Sequence, residues 1–89
     1  MNKARRKDLS EIIERISALQ EDLSAIMEDL ETIREDEEEY RDNIPENLQT
    51  SERYERAETA VDALESAYDA LFEIDLDEVI DSINEAIEA

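Results

Sequence analysis

"LSEIIERISALQEDLSAIMEDLETIREDEEEYRDN", residues 9–43, decides the fold. Cut from Leu9, it divides into five heptads: LSEIIER, ISALQED, LSAIMED, LETIRED and EEEYRDN. The first positions, a, are Leu9, Ile16, Leu23, Leu30 and Glu37, and the fourth, d, are Ile12, Leu19, Ile26, Ile33 and Tyr40. Nine of these ten are apolar. Apolar residues spaced alternately by three and four keep one stripe of a helix against a partner helix, so the pattern predicts a coiled-coil seam. Ile13 and Met27 at position e are apolar in excess of that seam, which suggests a further packing partner. Position f is Glu14, Glu21, Glu28, Glu35 and Asp42, so a carboxylate stripe runs along the helix, opposite or beside the seam. Ser17, Ala18, Ser24 and Ala25, at b and c, read as helix-friendly surface residues, with close approach by another helix as the alternative.

The only proline, Pro45, disfavours the helical conformation at Ile44. The first helix is therefore expected over about residues 3–43. Residues 44–50 form the turn, with Asn43 able to cap the outgoing helix and Thr50 or Ser51 the incoming one. Ala57, Val61, Leu64, Tyr68, Leu71, Phe72, Leu76, Val79, Ile80, Ile83 and Ile87 then keep helical spacing to the end, with a phase slip between 68 and 76. Asp75 and Glu78 match a D-x-x-E capping box. The expectation is one long second helix over about 51–88 with a kink at 74–76, two shorter helices being the alternative.

Two rods joined by a short turn must fold back antiparallel. The expected fold class is all-α: an antiparallel two-helix coiled-coil hairpin forming a single domain over 1–89. Leu30 should then lie near Leu64, Ile26 near Tyr68, Ile16 near Val79, and Ile12 near Ile83. Tyr40 and Tyr54 should meet near the turn, and Lys3, Arg5, Arg6 and Lys7 should flank Glu85 and Glu88. A hairpin of 89 residues has a thin core. Phe72, Ile74 and the neighbours Val79 and Ile80 give helix 2 a broad apolar face, which suggests a further partner, a second copy making a four-helix bundle or a target protein.

Composition limits the chemistry. There are 28 acidic against 9 basic residues, a formal net charge of -19, with no Cys, His or Gly. Without Cys and His, disulfides, thiolate chemistry and the commonest general base and metal ligand are missing. Both lysines lie within the first seven residues. No constellation for nucleophilic catalysis can be assembled, so no catalytic, cofactor-binding or metal-binding residue is assigned and no cofactor is expected. "DLDEVIDSINE", from Asp75, fails the EF-hand pattern because Val79 stands at a ligand position and the turn glycine is missing. No stretch approaches a membrane span and no apolar region follows the basic N-terminus, which suggests a soluble protein of the cytoplasm. Such a chain is repelled by nucleic acid and anionic membranes and attracted to basic surfaces.

The distribution of that charge is informative. Residues 57–89 hold eleven carboxylates and no Lys or Arg. Five carboxylates in a row, 35–39, oppose the dipole at the end of helix 1, and Glu37 with Arg41, together with nearby Arg53 and Arg56, would offset part of this. Carboxylates one turn apart are about 5–6 Å apart. Duplex DNA carries one charge per ~1.7 Å of axis, and two packed helices of ~10 Å each match its girth. Glu28, Glu35, Asp36, Glu38, Glu39 and Asp42 on helix 1, with Glu58, Asp62, Glu65 and Asp69 on helix 2, are therefore the candidate contacts for a basic protein groove.

"MNKARRKDLSEII" and "EEEYRDNIPENLQTSERYERAE" resemble a family of short acidic helical proteins from phages and mobile elements of Gram-positive bacteria. The basic start and the D-N-x-P-E-x-L-Q-x-S-E turn carry the likeness, which covers most of the chain. The resemblance implies a bacterial host cell and a setting in which anti-CRISPR proteins, several of them acidic DNA mimics, are found. It implies no functional residues. Two functions follow as expectations: a DNA-mimicking inhibitor of a basic nucleic-acid-binding protein, most specifically a Cas nuclease, or a self-associating structural bundle whose acidity serves solubility.

Overall fold

Three side-chain oxygens decide where the helices start. The computed structural model, which describes residues 1–89, is all-α: α1 (Lys3–Asp42), a 3-10 turn (Glu46–Leu48), α2 (Glu52–Phe72) and α3 (Leu76–Glu88). Asn2 Oδ1 accepts from the Arg5 amide at 2.8 Å, Ser51 Oγ from Tyr54 at 3.3 Å, and Asp75 Oδ1 from Glu78 at 3.0 Å. Each satisfies an amide that the first turn of a helix leaves without an intrahelical partner. Pro45, at φ −54° and ψ 142°, stops α1 from continuing, and Leu48 closes the 3-10 turn on its carbonyl at 2.8 Å. No residue has positive φ, as suits a chain without glycine.

The chain divides into two compact units, Met1–Ala25 with Ile74–Ala89, and Ile26–Glu73. In the first, the N-terminal part of α1 pairs with α3. Arg6 Nε donates to the Ile87 carbonyl at 3.1 Å and Gln20 Nε2 to Asp77 Oδ1 at 2.7 Å, so the helices run antiparallel. The basic start of α1 thus meets the carbonyl end of α3 through a backbone oxygen, where a cation complements the dipole. In the second unit, the C-terminal part of α1 pairs with α2. Arg34 reaches Glu65 at 3.6 Å and Arg53 Nε donates to the Tyr40 hydroxyl at 2.7 Å, again antiparallel. Tyr40 therefore meets Arg53 near the turn, where the sequence had suggested Tyr54. The hairpin class is as the heptads predict.

Two expectations are corrected. The second helix is not continuous over 51–88: α2 ends at Phe72 and α3 begins at Leu76. The covered residues of α2 include Tyr54, Ala57, Val61, Leu64, Tyr68 and Leu71, stepping by three and four, with Ala60 at their edge. The next seam position would be 75, but the apolar residue is Leu76, followed by Ile80, Ile83 and Ile87. One extra residue turns a stripe by about 100° on a 3.6-residue helix, so an unbroken helix would point α3 away from α1. The break resets the phase, and Asp75 caps the restart.

The second correction concerns the seam. The half-buried residues of α1 at positions a and e are Leu9, Ile13, Ile16, Gln20, Leu23, Met27, Leu30, Arg34, Glu37 and Arg41, joined only by Glu31 and Glu38 at b. The d residues Ile12, Leu19, Ile26, Ile33 and Tyr40 are between 40% and 56% exposed. Ile12 and Ile26 are thus more exposed than their neighbours Ile13 and Met27. One helix can cover only one edge of the a stripe, and the apolar e residues Ile13 and Met27 together with the reach of Arg34 to Glu65 place that edge on the e side. Spare apolar surface thus lies on the d edge of α1 as well as at Phe72, Ile74 and Val79, where it was expected. Ser17, Ala18, Ser24 and Ala25 are exposed.

Candidate functional site

All ten candidate carboxylates lie in the second unit, Ile26–Glu73. Its core is small: Ile44, Ala57 and Val61 are the only residues of the chain that are fully covered. Ala57 and Val61 are small enough for the two helix backbones to come close, and Ile44 seals the turn. This rigid spine fixes which carboxylates face which way.

Arg34 is the organising cation. It projects from position e of α1, mostly covered, and binds Glu31 one turn before it, Glu38 one turn after it at 2.6 Å, and Glu65 of α2 at 3.6 Å. The paired bonds from Nε and Nη2 to the two Glu31 oxygens form a fork that matches a carboxylate. These bonds hold the Glu31 carboxyl below the usual carboxylate range, burial opposing them, and hold the Arg34 guanidinium still more firmly charged. Tyr68 and Asp69 complete a shallow polar groove with Glu31, Arg34 and Glu65. Arg41 binds Asp42 at 3.1 Å and Glu38 at 3.8 Å, not Glu37, and Asp42 is the main reason its guanidinium is also held more firmly charged. Arg56 pairs with Glu52 one turn earlier on the exposed side of α2.

Three of the ten candidates are thereby engaged within the chain: Glu38 with Arg34 and Arg41, Asp42 with Arg41, and Glu65 with Arg34. Glu38, one of the candidate contacts, is half-buried. The other seven, Glu28, Glu35, Asp36, Glu39, Glu58, Asp62 and Asp69, are exposed and make no intrachain ion pair. Glu28 and Glu35 follow one another at heptad spacing on α1. Glu58, Asp62 and Asp69 share with Glu65 a row at steps of three and four on α2. The Arg34–Glu65 contact places that row on the e side of the helix pair.

Missed in the sequence were Glu31 and Arg34. The i,i+3 and i,i+4 spacing of Glu31, Arg34 and Glu38 was a visible signal of a local ion-pair cluster, and the bond to Glu65 follows only once the register is fixed.

No group of three or more His, Cys, Asp or Glu side chains is placed to hold a metal ion, and no helix is long and apolar enough to cross a membrane. The grooves are shallow. The apolar one in the first unit, between Leu9 of α1 and Val79, Ile83 and Ala86 of α3, carries Ser82 and Glu78 as its only polar residues. The chemistry this arrangement offers is electrostatic: exposed carboxylates without an intrachain ion pair, carried on two paired helices. No protein-family model, curated protein or solved structure matches the chain.

Proposed function

We propose that this chain binds and blocks a basic nucleic-acid-binding protein by presenting carboxylates where that protein holds phosphates. The observation that carries the reading is the set of seven exposed, unpaired carboxylates in the second unit, on two helices that the Arg34 cluster joins through Glu65. Neighbouring acids on such helices repel and slightly destabilise them, so a chain that keeps them gives up a little stability for a strong negative field. That field steers association with a basic groove and is worth most where counterions are released, the terms on which DNA itself binds. A Cas nuclease is the most specific target we propose, on the strength of the resemblance to mobile-element proteins, with a bacterial cytoplasm as the place of action.

The test is a competition. A low-salt pull-down from a bacterial host cytosol supplies the target, with basic nucleic-acid enzymes as the expected catch. The complex should then weaken steeply with salt and be displaced by duplex DNA. Charge reversal at Glu35, Asp36 and Glu39, or at Glu58, Asp62 and Asp69, should weaken it far more than Ser17→Ala or Ser24→Ala. A complex that ignores salt, or that forms while DNA stays bound to the target, rules the reading out.

A further inference from the structure

Arg15 is the one cation beyond the first seven residues that the chain leaves without a partner. Arg34, Arg41 and Arg56 each bind a carboxylate, and Arg53 binds the Tyr40 hydroxyl. Arg15 makes no ion pair; it is exposed and lines an apolar groove with Ile12, Ile16 and Leu19 of α1. A second apolar groove of the same unit lies between Leu9 and the α3 residues Val79, Ile83 and Ala86. Its one charge is Glu78, which is also exposed and without an ion pair. The two grooves open on the same side of the helix pair. Gln20, at position e, bonds Asp77, so the d edge of α1 and the Val79–Ser82–Ala86 edge of α3 both fall on the other side. There Ile12, Leu19 and Val79 are between 40% and 53% exposed.

We infer that this side of the unit binds the same side of a second copy, closing an antiparallel four-helix bundle in which Arg15 of each copy pairs with Glu78 of the other. The argument is charge complementarity at matched height. The Arg6–Ile87 and Gln20–Asp77 bonds set the register of α1 on α3, and they place Arg15 within one helical turn of Glu78 along the axis. A two-fold axis parallel to the helices keeps that height and lays the α1 groove of one copy against the α3 groove of the other, so one surface serves both partners. Leu19 then arrives level with the partner's Val79, and Ile12 level with its Ser82, a large side chain against a small one. The lone cation of one groove enters beside the lone anion of the other, twice per dimer, which fixes the register as paired charges do. The edge is not free of other carboxylates. Asp8 and Asp22 flank Arg15 on α1; Asp8 comes level with the partner's Ala86, and Asp22 with its Asp75. The one like-charge approach thus stands at the end of each contact and the ion pair at its middle. All ten carboxylates of the inhibitory reading belong to the other unit, so the dimer is independent of it.

Two chains of charge -19 repel each other, and screening relieves that repulsion more than it weakens a close pair at the contact. Sedimentation equilibrium of the full chain at moderate salt should show monomer at micromolar concentration, where thermal melts read the monomer alone, and dimer towards millimolar concentration. Arg15→Glu and Glu78→Arg should each weaken the dimer by about tenfold or more, because each change sets like charges together at two places. The double variant, Arg15→Glu with Glu78→Arg, should restore most of the loss, a recovery that a merely structural role of either residue would not give. Helical circular dichroism should be retained in all three. Leu19→Ser, at an exposed site on α1 alone, should also weaken the dimer by about tenfold, which keeps the test open should Glu78→Arg loosen the start of α3. A chain that stays monomeric at millimolar concentration overturns the inference. So does a dimer indifferent to Arg15→Glu and Leu19→Ser, or a double variant no better than Arg15→Glu with its helices intact.

Discussion

The two halves of the hairpin are held by different means. In the unit formed by Met1–Ala25 and Ile74–Ala89, no residue is fully buried and no ion pair is made; half-buried aliphatic side chains and two long-range hydrogen bonds, Arg6 to Ile87 and Gln20 to Asp77, join α1 to α3. In the unit Ile26–Glu73, Ile44, Ala57 and Val61 are covered, and every ion pair of the chain is found there. The difference follows from the residues at hand. Aliphatic stripes on both helices supply the first unit. The second has Glu37 and Arg41 where its seam needs apolar residues, and compensates with small residues that bring the backbones close and with cations that thread between carboxylates. Salt screens the Arg34 cluster, whereas apolar contact carries no charge to screen.

That contrast can be broken most forcefully at Val61. Val61→Asp buries an uncompensated charge, which should cost about 3 kcal/mol or more, and hydrogen exchange should show α2 losing protection first. Ile83→Asp, at a half-buried site, should cost clearly less in the same urea titration. Equal losses would mean that the two units are equally packed.

Next in size is the restart of α3. Asp75→Ala removes its cap and should cost about 1 kcal/mol, with amide exchange accelerating at Asp77 and Glu78 while α2 is spared. Ser51→Ala should do the same at the start of α2. If either change spreads through both units alike, they unfold as one.

Arg34→Gln leaves Glu31, Glu38 and Glu65 without their shared cation. The melting temperature should fall, and the fall should shrink as salt rises. Arg15→Gln, in the first unit and without an ion pair, should leave it unchanged.

The smallest effect is a pH dependence. Because the folded chain holds the Glu31 carboxyl below its usual range, the stability it contributes is fully present above the ordinary carboxylate value and is lost as pH falls through the lowered folded value. Wild type and Glu31→Gln should therefore differ at neutral pH and converge in acid, as followed by thermal melts across that range. A constant difference would remove the ionic account of Glu31.

Much of this contrast was legible in residues 9–43. The heptads and Pro45 locate α1 to within a residue of its end at Asp42, and the Ser51 and Asp75 caps are both visible as residue type before a helical stripe. What the heptads do not contain is a choice between edges of the a stripe. Ile12, Leu19, Ile26 and Ile33 on one edge and Ile13 and Met27 on the other are equally apolar. The structure selects the second edge, where Arg34 meets Glu65 across the pair. The carboxylates show the same limit. A sequence gives their spacing on a helix, but whether Glu38 and Asp42 are free depends on where Arg34 and Arg41 point.

The interruption at Glu73–Asp75 has a wider meaning. Without a glycine or a proline there, nothing in the backbone forbids a helix from running through from α2 into α3. A single carboxylate oxygen, Asp75 Oδ1 on the Glu78 amide, favours the restart, and with it the rotational setting of every residue that follows. The hairpin is thus a choice between two phases of one amphipathic sequence. Substitutions that lengthen α2 through residue 75 would not merely loosen the chain; they would turn the apolar side of the thirteen residues of α3 outward, exchanging a folded end for a sticky one.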